Sequence, residues 1–207
     1  MDFCSIASGS SGNCTYTGTD ETALLVDAGI SARQIEKGLH SIDRTAEDID
    51  GILVTHEHSD HIKGLGVLSR RYGIPIYGTR GTLKAVANCS SLGQIDAGLY
   101  REIHVDQDFQ VGDVTVHPFE IPHDAAQPSA YRLSHENTSV AVVTDLGVFS
   151  DYIIENMKGL DAMLLEANHD IRMLQAGPYP YYLKQRILGT HGHLSNENAG
   201  RLLCRIL

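Results

Sequence analysis

The feature that most constrains this chain is a dense cluster of ligand-type side chains at residues 55–61, which read Thr-His-Glu-His-Ser-Asp-His. It follows the run Gly51-Ile-Leu-Val-Thr, whose length and β-branched residues predict a buried strand, so the cluster lies where a strand ends. Neutral imidazole nitrogens and carboxylate oxygens are the usual ligands of zinc-like ions. A solvated polar loop would explain one or two of these residues but not five together. We therefore predict a metal site here.

The spacing within the cluster predicts two metal positions. On an extended loop His56 and His58 are two residues apart and point the same way. The chain reversal through Ser59 can present Asp60 and His61 to a neighbouring point.

The pattern His-x-His-x-Asp-His after a strand resembles the signature of the metallo-β-lactamase superfamily. Leu24-Leu-Val-Asp-Ala-Gly29 precedes it, and His123 and Asp145 follow in the order that the family requires. Within the superfamily the chain resembles the YycJ (WalJ) group in four segments: Ser8-Gly-Ser-Ser-Gly-Asn-Cys14, Ile121-Pro-His-Asp-Ala125, Gly177-Pro-Tyr-Pro-Tyr-Tyr-Leu-Lys-Gln-Arg186 and Gly192-His-Leu-Ser-Asn196.

Strand and helix patterns alternate along the chain, which favours a layered α/β architecture. They include a helix over 65–72, a strand over 74–77, a helix over 79–87 and a hairpin turned at Gly112-Asp113. No linker separates the halves, so we expect one domain over residues 1–207. The resemblance implies the four-layer αββα sandwich of the superfamily, with metals at strand ends along one edge.

The resemblance also implies the role of each ligand. His56, His58 and His123 would hold one divalent ion, Asp60 and His61 the second, and Asp145 would bridge the two ions, which are Zn or Mn. Asp27 would brace the metal loop, although Asp before Ala-Gly is also a common turn.

Leu165-Glu-Ala167 and Gly192-His-Leu-Ser-Asn196 resemble the Glu and His motifs of the RNase Z branch, in which a Glu orients a His that protonates the leaving oxygen. Asp60, Glu166 and His193 are then the expected catalytic residues. The alternative for His193 is a helix N-terminal turn capped by Ser195. The loop at residues 8–13, through Ser11 and Asn13, and also Ser195 are expected to bind substrate, although the loop could equally be an ordinary hairpin turn.

Together these residues imply a hydrolase that cleaves phosphodiester bonds through a metal-bound hydroxide, and the YycJ group implies a 5′ to 3′ DNA exonuclease. A leaving alkoxide needs a proton far more than a leaving thiolate does, which favours phosphodiesters. The rivals are a glyoxalase-II-like thiolester hydrolase, a small-molecule phosphodiesterase and an inactive scaffold.

The net charge of −10 argues against broad electrostatic capture of nucleic acid. Three tyrosines near Lys184 and Arg186 suit base stacking and core packing equally. We class His169 with the ordinary histidines. No apolar run predicts a membrane span, no N-terminal pattern predicts a secretory signal, and the four cysteines lack a disulfide or metal spacing, so we expect a cytoplasmic protein of undetermined oligomeric state.

The last residues, Arg201-Leu-Leu-Cys-Arg-Ile-Leu207, have the character of a helix interior without a polar C-cap. Members of the family continue into a further strand that ends in another metal-binding His. The sequence therefore predicts a truncated chain with a weaker second metal position.

The substitution His58→Ala should abolish hydrolysis and metal retention without unfolding the protein, because a loop ligand is peripheral to core packing. Metal content and circular dichroism of the purified variant would check this. Full activity after the change would contradict the metal site.

Overall fold

The computed structural model describes residues 1–207, and its strands form two sheets. The six strands of the first sheet, in spatial order, are β1 (Asp2–Ala7), β2 (Cys14–Gly18), β3 (Ala23–Val26), β4 (Gly51–Leu53), β5 (Ile76–Thr79) and β6 (Tyr100–Ile103). The pairs β1–β2 and β2–β3 are antiparallel, and the later neighbours are parallel.

The five strands of the second sheet are β7 (Phe109–Val111), β8 (Val114–Glu120), β9 (Ser129–His135), β10 (Thr138–Val143) and β11 (Ala162–Leu165). Their spatial order is β11-β10-β9-β8-β7, and only β10–β11 is parallel. The hairpin between β7 and β8 turns at Gly112 and Asp113, as the sequence predicts.

Eight α-helices connect or cover the sheets: α1 (Ala32–His40), α2 (Ser59–Ile62), α3 (Leu65–Tyr72), α4 (Arg80–Ala87), α5 (Asp151–Met157), α6 (Ile171–Ala176), α7 (Tyr181–Leu188) and α8 (Asn196–Ile206). Short 3-10 turns lie at Ala46–Asp48, Ser90–Leu92 and Ala97–Leu99. No helix combines the length and the apolar composition that crossing a membrane would require.

The layers follow from the two-residue period of the strands. In β3, Leu24 and Val26 point into the cluster between the two sheets, while Leu25 joins the cluster between the first sheet and its helices. In β10, Val140 and Val142 face the first sheet, whereas Ala141 and Val143 face α5 and α8. Three apolar clusters thus fill the three interfaces of a four-layer αββα sandwich, which confirms the predicted fold class.

The helix over 65–72 and the hairpin agree with the sequence analysis, but other boundaries differ. The predicted strand over 74–77 lies at Ile76–Thr79, because it pairs in parallel with β6 from Ile76 onward. Thr79 is the N-cap of α4, where its side chain accepts a hydrogen bond from Thr82 N–H. Strand β6 and helices α6 and α7 were not predicted.

Gly29 shows why the loop after β3 needs a residue without a side chain. A Cβ atom at this position would lie 1.7 Å from the backbone oxygen of Asp60 and 2.6 Å from the backbone nitrogen of Asn13. The carbonyl of Asp60 accepts a hydrogen bond from Asn13 N–H at 2.8 Å, so three segments meet there without space for a methyl group.

The substitution Gly29→Ala should therefore displace the loop of Asp60 and lower the free energy of unfolding by about 1–3 kcal/mol, as overpacking does. Gly200, in the middle of α8, is a matched control because a Cβ atom there has no neighbour within 4 Å. Gly200→Ala should raise the free energy of unfolding by roughly 0.5–1 kcal/mol. Urea denaturation measures both, and equal effects would contradict the close approach at Gly29.

Candidate active site

The candidate site residues lie just beyond strand ends. Asp27 follows β3, His56 follows β4, His123 follows β8, Asp145 follows β10 and Glu166 follows β11. Strand ends along one edge of a sandwich meet in space, so side chains that are far apart in sequence converge there. Asp27 and Asp145 have φ angles of 63° and 54°, a left-handed conformation that costs about 1–3 kcal/mol for a residue other than glycine. Such strain is typical of functional sites.

One group of converging atoms belongs to His56, His58 and His123. The Nε2 atom of His123 lies 3.3 Å from the Nδ1 atom of His58. Two imidazole nitrogens bound to one tetrahedral zinc ion at about 2.0–2.1 Å would be roughly 3.3–3.4 Å apart, so this spacing fits a shared ion. On the other side of its ring, His123 Nδ1 lies 3.2 Å from the carbonyl oxygen of Gly192, which orients Nε2 toward the group.

A second group consists of His56, His61 and Asp145. The Oδ2 atom of Asp145 lies 2.7 Å from His61 Nε2 and 3.7 Å from His56 Nε2, so this carboxylate lies between the two histidines. His56 Nε2 is buried without a hydrogen bond in the protein, and Asp145 Oδ2 is buried with His61 Nε2 as its near contact. Buried ligand atoms that converge without partners are what a cation site requires.

Asp60 lies farther from His61 than Asp145 does. Its Oδ2 atom is 3.7 Å from His61 Nε2, and its side chain, one third exposed, faces the adjoining cavity. The structure therefore groups His61 with His56 and Asp145, while Asp60 lies at the edge of that group.

Asp27 is buried behind the metal loop and fixes three of its groups. Its Oδ1 atom accepts a hydrogen bond from Thr55 N–H at 2.8 Å, and Oδ2 accepts one from the Thr55 hydroxyl at 2.8 Å. His61 Nδ1 also lies 2.8 Å from Oδ2, so that the opposite nitrogen of His61 points into the site. A carboxylate behind a ligand histidine fixes its tautomer and orientation.

The electrostatics differ among the candidate ligands. Burial, together with repulsion from His61, lowers the pKa of His56, so its lone pair is free for a cation. Burial also lowers the pKa of His123. Burial acts to lower the pKa of His61 as well, but the carboxylates of Asp27 and Asp145 raise it to about 10. Burial acts to raise the pKa of Asp145, but contacts with His193 and His61 hold it well below its usual range.

Glu166 and His193 form a hydrogen-bonded pair beside Asp145. His193 Nδ1–H donates to Glu166 Oε1 at 2.7 Å and lies 3.1 Å from Asp145 Oδ1. The second oxygen of Glu166 accepts from the amides of Leu146 and Leu194 at 3.0 and 3.1 Å, which fixes the carboxylate. His193 Nε2 has no protein partner, and the ring lines a cavity of about 730 Å³.

Burial acts to lower the pKa of His193, but the carboxylates of Asp145 and Glu166 raise it to about 10. These carboxylates favour the protonated form of the ring, which can donate a proton from Nε2. A cation bound to Asp145 would offset the negative charge of that carboxylate. Glu166 would then be the main group that stabilises the protonated ring.

The glycine-rich loop forms one wall of this cavity. A turn closed by the hydrogen bond from Gly12 N–H to the Gly9 carbonyl at 2.9 Å places Ser10 and Ser11 at its corner. Ser10 lines the cavity, whereas the exposed Ser11 is not among the lining residues. Asn13 lines the cavity, accepts a hydrogen bond from Gly9 N–H at 3.0 Å and approaches His61 Nε2 at 3.1 Å.

Ser195 does not reach the cavity. Its side chain is buried and caps α8 by accepting a hydrogen bond from Asn198 N–H at 3.2 Å, which is the alternative role that the sequence suggests. Ser195 and Ser11 thus both lie outside the cavity lining, and their contact with substrate stays a prediction.

His169 was classed as ordinary, but it lies in the cavity wall and neither ring nitrogen has a hydrogen-bond partner. The backbone places it there, since Asn196 N–H donates to the His169 carbonyl at 2.9 Å, beside the segment of His193. Its position three residues after Glu166 was the available sequence signal.

The chain matches the family model described as "Beta-lactamase superfamily domain" over residues 22–206. It is 43% identical to the exodeoxyribonuclease WalJ of Streptococcus pneumoniae, over 98% of this chain and 75% of WalJ. It is 42% identical to the exodeoxyribonuclease YycJ of Bacillus anthracis, over 100% of this chain and 78% of YycJ. Among solved structures it resembles the metallo-β-lactamase fold protein YhfI of Bacillus subtilis, with a TM-score of 0.71 and 20% identity over 97% of this chain and 76% of YhfI.

The substitution Asp27→Asn should weaken metal binding by about 10- to 100-fold, because the neutral amide no longer fixes the His61 tautomer. Competition titration with a fluorescent chelator would measure the affinity, and circular dichroism would show that the variant is folded. An unchanged affinity in a folded variant would mean that Asp27 serves only the turn.

Proposed function

The chain belongs to the metallo-β-lactamase superfamily of metal-dependent hydrolases, and from this premise we propose that it is a DNA exonuclease that removes nucleotides from the 5′ end. The observation that carries the proposal is the Glu166–His193 pair, which places an imidazole directly beside the candidate metal ligands. The names of WalJ and YycJ supply the substrate and the exonuclease character.

The ligand set supports two divalent ions, Zn or Mn, one held by His56, His58 and His123 and one near His61 and Asp60, with Asp145 between them. Such ions, when bound, activate water and neutralise the charge of the phosphoryl group. The protein side chains provide the rest of the chemistry.

His193 would donate its Nε2 proton to the leaving oxygen of the scissile phosphodiester. Glu166 accepts from Nδ1 and stabilises the charged ring before the transfer. The free amides of the loop at residues 8–13 can bind a phosphate, because Ser10 N–H and Ser11 N–H donate no hydrogen bond within the protein.

The acid pair separates this function from two of its rivals, the thiolester hydrolase and the inactive scaffold. A thiolester hydrolase expels a thiolate, which needs no proton donor, whereas an alkoxide does. An inactive scaffold would have no use for a fixed, protonated histidine at a metal site. The free state of all four cysteines supports the further proposal of a cytoplasmic location.

The assay that tests the function follows release of labelled nucleotide from DNA carrying the label at its 5′ or its 3′ end, with added Mn or Zn. Early release of the 5′ label is expected. Release of the 3′ label first would reverse the polarity, and hydrolysis of an acyl-glutathione but not DNA would favour the thiolester rival.

His193→Ala should slow the cleavage of DNA by roughly 10²-fold or more, as expected when a general acid is lost. An aryl phosphodiester with a good leaving group should lose much less activity, and the metal content should be unchanged. Equal losses of kcat on both substrates would mean that His193 positions the substrate rather than donating a proton.

A further inference from the structure

Arg186 of α7 supplies the permanent positive charge of the cavity that contains the acid pair. Among the residues that line this cavity it is the single lysine or arginine, whereas Asp60, Asp145 and Glu166 contribute carboxylates. The Arg186 side chain is 53% exposed, so its guanidinium is open to solvent. No step of the proposed chemistry uses it. An arginine among carboxylates, in a site suited to an anionic substrate, is a candidate for binding that substrate's charge.

Asp124 holds the guanidinium in one orientation. Arg186 Nε and Nη2 donate to the two oxygens of the Asp124 carboxylate, the second at 3.1 Å. This pairing uses one edge of the planar group and leaves the N–H groups of Nη1 and the second N–H of Nη2 without a partner in the protein. A guanidinium fixed in this way keeps a free edge that can bind two oxygens of a phosphate group.

The ion pair lies beside the first metal position. The Oδ1 atom of Asp124 is 3.4 Å from His123 Nε2, the nitrogen that faces the other candidate ligands. The backbone of Asp124 is also fixed, because its N–H donates to the His191 carbonyl at 3.1 Å, two residues before His193. A single carboxylate therefore separates Arg186 from a candidate metal ligand. The scissile phosphate would have to lie in this region to contact both the ions and the acid.

A purely structural role for Arg186 is the alternative, because packing holds α7 only weakly. No residue of this helix is buried, and Tyr181 and Tyr182 are 77% and 75% exposed. The ion pair with Asp124 could fasten the helix to the loop after β8. An exposed ion pair stabilises a fold little, however, and a tether needs only one edge of the guanidinium. The free edge and the position in the cavity lining favour the binding of an anion.

We propose that Arg186 binds oxygens of the scissile phosphate through the free edge of its guanidinium, while Asp124 fixes the orientation of that edge. This inference rests on the proposed nuclease function and names the residue that recognises the charge of the substrate. A charge-assisted contact of this kind forms with a phosphodiester but not with a neutral ester. The difference between these two substrates provides the test.

Two esters with the same leaving group separate recognition of charge from other effects: bis(4-nitrophenyl) phosphate is an anion, and 4-nitrophenyl acetate is neutral. Arg186→Ala should lower kcat/KM for the phosphate diester roughly 10- to 100-fold, as expected when a hydrogen bond to a charged group is lost. On the acetate, kcat/KM should stay within about twofold, because the acetate offers no charge to the guanidinium. The metal content of the variant should be unchanged.

Three further variants serve as controls. Arg186→Lys keeps the charge but not the planar fork, and it should give an intermediate kcat/KM for the phosphate diester. Asp124→Asn keeps the guanidinium and should cost less than Arg186→Ala. Arg172 of α6 is exposed and lies outside the cavity lining. Arg172→Ala removes the same charge from the neighbouring helix and should leave kcat/KM for both esters unchanged.

The same contact should be visible in the salt dependence of DNA cleavage. Loss of one phosphate contact makes the logarithmic dependence of KM on salt concentration shallower by about 0.7–0.9. This change is expected for Arg186→Ala but not for Arg172→Ala.

Several results would overturn the inference. Equal losses of kcat/KM on both esters after Arg186→Ala would show that the ion pair with Asp124 only tethers α7. An unchanged kcat/KM for the phosphate diester would exclude phosphate binding by Arg186 and leave the nuclease function intact. If the enzyme cleaves no DNA but hydrolyses the phosphate diester with the expected dependence on Arg186, the nuclease function fails and the phosphate contact is supported.

Discussion

The active site depends on how the converging lone pairs of its histidines and of Asp145 are satisfied. His56 Nε2 is buried without a hydrogen-bond partner, which costs about 1–3 kcal/mol if the atom stays unpaired. The separation of 3.3 Å between nitrogens of His58 and His123 fits two ligands of one tetrahedral ion. Bound cations would coordinate these unpaired ligand atoms and remove that cost. Because only the folded chain forms the site, their binding would stabilise the folded state.

The surrounding structure holds the ligands in place before any ion binds. Asp27 fixes Thr55 and His61 from behind, and the missing side chain of Gly29 lets the loop of Asp60 pack directly against the strand end. The left-handed backbone at Asp27 and Asp145 is maintained because the strands that lead into these residues are buried between apolar clusters. Packing thus compensates the strain at the site.

The layered α/β architecture and the position of the candidate site could be predicted from local sequence patterns, whereas the four-layer sandwich and the role of each ligand came from the resemblance to the superfamily. The two-residue period of β3 and β10 determines the layers, and a ligand-rich motif directly after a strand determines the position of the site. The sequence could not show that Ser195 caps α8 or that Ser11 lies in a turn closed by Gly9 and Gly12, because both depend on the local backbone conformation. Helices α6 and α7 were missed because Gly177, Pro178 and Pro180 obscure the helical period. Whether the tyrosines are buried depends on tertiary neighbours that the sequence does not reveal.

The measurement that tests the account most directly is DNA cleavage by protein from which all metal has been removed, followed by stepwise addition of Mn or Zn. The account predicts no cleavage by the metal-free protein and full recovery as the His56–His58–His123 and His61–Asp145 groups fill. The free energy of unfolding should rise over the same metal concentrations, by about 4 kcal/mol at a thousandfold excess over Kd. Undiminished cleavage by metal-free protein, verified by elemental analysis, would contradict it.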